Sequence, residues 1–212
     1  RRRKSRGIAR QKWSVCCIIS TAIMAFSCTG KGFTSDEAAL IRSADSLMRV
    51  LTIKDSVDLK ILRAQSSDLP VSALMSDDYE KLCRLMTATV THPSQDGVGI
   101  AGPQVGLNRR VVAVQRFDKE GFPFEVYPNI RIVWASDSLA CGPEGCLSVP
   151  DMRGDVMRST EIVIEYTDLE QLKGRRNTCP MPVIRDTVKG FTAVIFQHEI
   201  DHLDGILYID RL

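Results

Sequence analysis

Gln197-His198-Glu199-Ile200-Asp201-His202 is the most informative stretch of this chain. Histidines at positions i and i+4 of a helix share one face, so both imidazoles can reach a single metal ion. Glu199 follows the first histidine directly and can act as a general base toward a water on that ion. A first-row cation lowers the pKa of bound water from ~15.7 to ~7, and a carboxylate beside it can take that proton and pass it on to a leaving amine. The chain has only three histidines, which makes the spacing informative. A helix whose histidines are merely satisfied by core hydrogen bonds is the competing reading, and it treats both the spacing and the glutamate as coincidence. The motif indicates a metal hydrolase without saying which one.

Working outward, residues 192–203 form the helix that carries the motif. Residues 78–90 form another, with Tyr79, Leu82, Leu85, Met86 and Thr89 on one side. The run Val111-Val112-Ala113-Val114 marks a strand over 110–117, and 126–134 and 161–166 are further strands. Residues 171–185 are polar with two prolines and read as a long hairpin excursion. Thr34 and Glu37 have capping-box spacing, and Leu40, Ile41, Ala44, Leu47, Met48 and Leu51 follow at helical intervals. The expected fold class is α+β, with mostly antiparallel sheets packed around a C-terminal metal-binding helix.

Composition narrows the function. The 212 residues are 44% hydrophobic with a net charge of +2, and beyond the basic first dozen residues the chain is net acidic. Charge therefore gives no indication of nucleic-acid binding. The seven cysteines form no C-x-x-C pair, which argues against a disulfide scaffold and a four-cysteine zinc module.

A catalytic metal needs a third protein ligand. No His or Glu follows His202, leaving Asp204 and Asp210 as the downstream carboxylates and pointing upstream for the ligand. Upstream, Glu144-Gly145-Cys146-Leu147-Ser148-Val149-Pro150 offers a thiol between a glycine and an apolar strand. Thiolate binds divalent iron or zinc well, although a small buried hydrophobe is the default reading of any single cysteine.

Three segments taken together resemble the peptide deformylase family: Gly97-Val98-Gly99-Ile100-Ala101-Gly102-Pro103-Gln104, Glu144-Gly145-Cys146-Leu147-Ser148, and the histidine motif. They occur in the family's order, and the resemblance runs from about residue 57 to the end. Gly102 stands where many relatives carry alanine. The resemblance implies removal of the formyl group from the N-terminal formyl-methionine of newly made polypeptides, with release of formate. It implies Cys146, His198 and His202 as ligands of one Fe²⁺ per chain, with Zn²⁺, Ni²⁺ or Co²⁺ as substitutes. Glu199 is implied as general base and then acid, with Gln104 and the Leu147 backbone N–H as oxyanion donors. Gly97 and Gly99 would bracket a peptide-binding strand edge, Val98 and Ile195 would line an apolar methionine pocket, and Arg153 would lie against the peptide. The implied partners are N-formyl-methionyl peptides at the ribosome.

The beginning of the chain conflicts with that setting. Basic residues 1–12 and the apolar run 15–26 have the form of a secretory signal, and Cys28 sits as in a bacterial lipoprotein signal, where it would anchor the chain to a membrane. A misassigned start is the alternative. The expected organisation is a targeting segment over 1–32, a helical linker over 33–56 and a catalytic domain over 57–212. The family's cytoplasmic habit and this signal point to different compartments. Two other functions therefore stand beside deformylation: an exported metallopeptidase or amidase acting on other N-blocked peptides, and a non-catalytic lipoprotein of the same fold.

Overall fold

In the computed structural model, which describes residues 32–174 and 179–212, the aliphatic strand recognised in the sequence lies between two cores. The chain enters through helix α1 (Ser35–Ser43). Thr34 Oγ1 accepts from the Glu37 N–H at 3.2 Å, and Glu37 Oε2 accepts from the Thr34 N–H at 2.8 Å, the reciprocal cap expected from the spacing. Short helices α2 (Ser56–Leu62) and α3 (Val71–Leu74) lead to the longer α4 (Asp77–Thr91), which Ser76 caps. Strands β1 (Gly99–Ala101), β2 (Val111–Gln115) and β3 (Phe124–Pro128) form an antiparallel sheet in the order β1-β2-β3.

Successive side chains of a strand point to opposite faces, so a strand buried on both sides reads as an unbroken apolar run. Strand β2 shows this directly. Val111 and Ala113 join Leu82, Leu85 and Met86 of α4 in one core. Val112 and Val114 join a second core containing Ile162, Ile164, Ala193, Phe196 and Ile200.

Strand β4 (Arg131–Ala135), strand β7 (Glu161–Thr167) and strand β8 (Val183–Lys189) make a second antiparallel sheet in the order β4-β7-β8. Between β4 and β7 the chain forms a separate antiparallel pair, β5 (Leu139–Cys146) and β6 (Val149–Ser159). Helix α5 (Leu169–Lys173) precedes β8, and helix α6 (Gly190–Leu203) follows it. Helix α6 packs against both larger sheets and β6, and a 3₁₀ turn over Tyr208–Arg211 closes the described chain. The architecture is mixed α/β with antiparallel sheets around the C-terminal helix, as the sequence predicts.

Three elements differ from expectation. The first helix stops at Ser43, where Ala44 turns extended, although the apolar spacing continues to Leu51. Tertiary hydrogen bonds take over there: the Met48 N–H donates to Thr89 Oγ1, the Leu51 N–H to the Gln104 carbonyl and the Ile53 N–H to the Ser148 carbonyl. Residues 126–134 divide between two sheets because Asn129 adopts φ 55° between β3 and β4. The 171–185 excursion contains the end of α5 and the start of β8. The proposed signal, with Cys16, Cys17 and Cys28, lies outside the described residues. No helix among the described residues is long and apolar enough to cross a membrane.

Candidate active site

Helix α6 is buried along almost its whole length, and that is what makes its polar residues informative. A polar group taken out of water needs a partner, and a charged one needs a counter-charge. Most of its polar groups have one. Gln197 makes a reciprocal pair with the Ser159 backbone, accepting at 3.0 Å and donating at 2.9 Å. Asp201 accepts from Arg158 and Arg211. His198 Nδ1 lies 2.8 Å from Glu144 Oε2, which leaves its Nε2 for another role. Burial alone would raise the Glu144 carboxyl, yet its bonds to His198 and Arg158 hold it down at about 2.

What remains unsatisfied on the helix belongs to Glu199 and His202. Glu199 Oε2 and His202 Nδ1 are buried without a hydrogen-bond partner. His202 Nε2 faces Cys146 Sγ at 3.2 Å. One ligand atom each from Cys146, His198 and His202 lies within 4.8 Å of the others, a group able to hold a metal ion. A sulfur with two imidazoles suits a borderline-soft divalent cation such as Zn²⁺ or Fe²⁺. Cys146 arrives from β5 beside a register irregularity between Glu144 and Cys146, the kind of break that re-aims side chains toward a site.

Glu199 sits against β1 with no room to spare. A Cβ on Gly99 would lie 2.5 Å from Glu199 Oε1, so glycine is the residue that lets the carboxylate occupy this position. Burial pushes that carboxyl up to about 7, against the lowering influence of His198. Gln104 is fixed at its other end, with Oε1 accepting from the Ala101 N–H at 2.8 Å. Its Nε2 thus points toward Cys146 Sγ at 3.5 Å and Ser148 Oγ at 3.3 Å. Leu147 occupies the turn that joins β5 to β6.

Gln104, Cys146, Leu147, His198 and Glu199 border a cavity of about 470 Å³, and so do Val98, Gly99, Ile195 and Arg153. Phe191 and Val194 also stand in its wall, and Glu144 holds His198; none of the three was singled out from the sequence. Helical spacing could have found the first two, because they precede His198 by seven and four residues on the same face. Asp204 and Asp210, the alternative carboxylates, pair with Arg110 and Arg63 instead. Cys141 is exposed on β5.

The sequence model of the polypeptide deformylase family matches residues 48–212, well over half of the chain. The chain belongs to that family. It is 36% identical over 159 residues to a peptide deformylase of Leptospira biflexa, covering 72% of this chain and 82% of the relative. The class I type b peptide deformylase of Acinetobacter baumannii, solved with Met-Ala-Ser bound, superposes with a TM-score of 0.65 at 31% identity, covering 78% of this chain and 98% of that one. The actinonin-bound form of the same enzyme gives a TM-score of 0.65 at 31% identity, covering 79% and 99%. Peptide deformylases are metal-dependent hydrolases, and the Cys146, His198 and His202 cluster is the metal-site candidate of this member.

Proposed function

We propose that Cys146, His198 and His202 hold one divalent cation, Fe²⁺ in the cell with Zn²⁺, Ni²⁺ or Co²⁺ as substitutes, and that Glu199 moves the protons of the reaction. The reaction is peptide deformylation. Water adds to the formyl carbon of an N-formyl-methionyl peptide, the C–N bond breaks, and formate and a free amino terminus leave. When bound, the cation supplies Lewis-acid activation of water at neutral pH. Glu199 Oε2 takes a proton from the attacking water and returns it to the leaving nitrogen. A carboxyl poised near neutrality suits both transfers. Gln104, whose Oε1 accepts from the Ala101 N–H, donates through Nε2 to the developing oxyanion together with the Leu147 N–H.

Strand β1 is an edge strand, so the substrate backbone can pair beside Val98 and Gly99. Arg153 contacts the peptide beyond the methionine, and the apolar stretch of wall with Ile195 receives the methionine side chain. In this reading residues 57–212 carry the catalytic machinery, and 33–56 pack onto it through Met48 and Leu51.

The observation that carries the proposal is the meeting of one sulfur and two imidazoles beside an unpartnered, buried glutamate. The test is formate release from formyl-Met-Ala by the iron-loaded protein under anaerobic conditions. Glu199→Ala should abolish turnover while retaining metal, and a fully active variant would refute the assigned role. Acetyl-Met-Ala and unblocked Met-Ala should be inert, whereas equal rates on all three would favour a general amidase.

A further inference from the structure

We infer that Arg211 is a positioning residue for the metal ligand His198, acting from the surface through an alternating chain of charges. The inference rests on the metal-site reading above. Arg211 Nε and Nη2 donate to the two oxygens of Asp201, both at 2.6 Å. Asp201 Oδ2 also accepts from Arg158 Nη1 at 2.6 Å. Arg158 Nε and Nη2 grip Glu144 in a fork at 2.7 and 3.0 Å, and Glu144 Oε2 meets His198 Nδ1 at 2.8 Å.

Planar guanidinium–carboxylate pairs fix orientation as well as charge, so each link constrains the next. The charges alternate from cation to anion to cation to anion and end on the imidazole. The Arg158 side chain is 4% exposed and Asp201 12%, whereas Arg211 is 40% exposed and forms the solvent end of the chain.

A second contact converges on the same ring. Arg211 belongs to the turn Tyr208–Arg211, and Tyr208 stacks on His198 with centroids 6.0 Å apart and planes at 22°. Docking Arg211 on Asp201 thus sets both the hydrogen-bonded edge and one face of the imidazole. Without Arg211, Asp201 has Arg158 as its remaining guanidinium partner and competes with Glu144 for it. A partner bonded directly to a metal ligand, as Glu144 is to His198, is typically worth 10–100-fold in metal affinity, and Arg211 acts on it through Asp201 and Arg158.

The test is a Co²⁺ titration of the metal-free protein followed by absorbance, beside kcat and KM for formyl-Met-Ala. Arg211→Met should weaken Co²⁺ binding by more than twofold and up to about tenfold, the lower end for a directly bonded partner. It should also lower kcat with KM unchanged and leave the circular-dichroism melt cooperative, with Arg211→Lys intermediate. Co²⁺ affinity within about twofold of the parent would overturn the inference, as would a raised KM at unchanged kcat. If Arg211→Met fails to fold, Arg211→Gln, which keeps a donor on a shorter stem, is judged by the same criteria. Failure of the parent protein itself to bind Co²⁺ would instead count against the metal-site reading.

Discussion

The two faces of strand β2 look out on very different surroundings. Toward α4, Val111 and Ala113 meet Leu82, Leu85, Met86 and Val90, a largely aliphatic core in which the Tyr79 hydroxyl is the buried oxygen without a hydrogen-bond partner. Toward α6, Val112 and Val114 meet an equally buried layer, but the helix beyond it also carries Glu199 and His202 without hydrogen-bond partners for a buried oxygen and nitrogen. Unsatisfied buried polar atoms cost stability, and two of them on one helix turn beside a thiol and a second imidazole mark a place where a ligand or a reaction uses them. The α4 side thus holds the sheet in place, and the α6 side spends part of that stability on chemistry.

Substitutions on the two sides should separate cleanly. The largest effect on folding is expected from Leu82→Ala, at the centre of the α4 core, at about 2–5 kcal/mol. Urea unfolding measures it, and kcat of the protein that remains folded should be unchanged. A parallel fall in kcat would mean that the two sides are not independent. On the α6 side, Gln104→Ala removes one oxyanion donor and should lower kcat about 10²–10³-fold. KM should move little, as steady-state kinetics will show.

Gly99→Ala sharpens the comparison, because it alters the sheet without removing any polar group. The added Cβ collides with Glu199, and displacing a reacting group by about 1 Å costs roughly 100-fold. Turnover should therefore fall by that factor with metal content retained, and near-normal turnover would show that Glu199 can relocate.

The smallest effect concerns the α4 side at low pH. Burial alone would raise the Glu37 carboxyl, but its bonds to Arg109 and Thr34 outweigh burial and lower it. A depressed carboxyl adds stability that is present above its unfolded value, ~4.3, and is lost as the pH falls through the folded one. Glu37→Gln should remove at most about 1 kcal/mol at pH 7 and flatten the loss of stability on acidification below about pH 4.3, as unfolding titrations at several pH values would reveal.

Much of this was legible in the residues. Strand β2 announced itself by apolar residues on both faces, and α6 by histidines at helical spacing. Capping chemistry at Thr34 and Glu37 is local and was equally readable. The hairpin of β5 and β6, which delivers Cys146, gave no such signal. Leu139, Cys141, Met152 and Met157 are all exposed along it, so no alternation marks a buried face. Residues 44–51 carry a helical apolar spacing but run extended, because their amides find Thr89 and Gln104 from distant elements. Local pattern cannot report a partner that distant in the sequence. Phe191 and Val194 drew no separate reading because the wall of a cavity and the face of a core use the same side chains.

The central claim is that Cys146, His198 and His202 share one cation, and X-ray absorption of the zinc-loaded protein tests it most directly. The prediction is one sulfur at about 2.3 Å and two imidazole nitrogens at about 2.0–2.1 Å, with the sulfur shell lost in Cys146→Ser. A parent spectrum without sulfur, or one unaltered by that substitution, would contradict it.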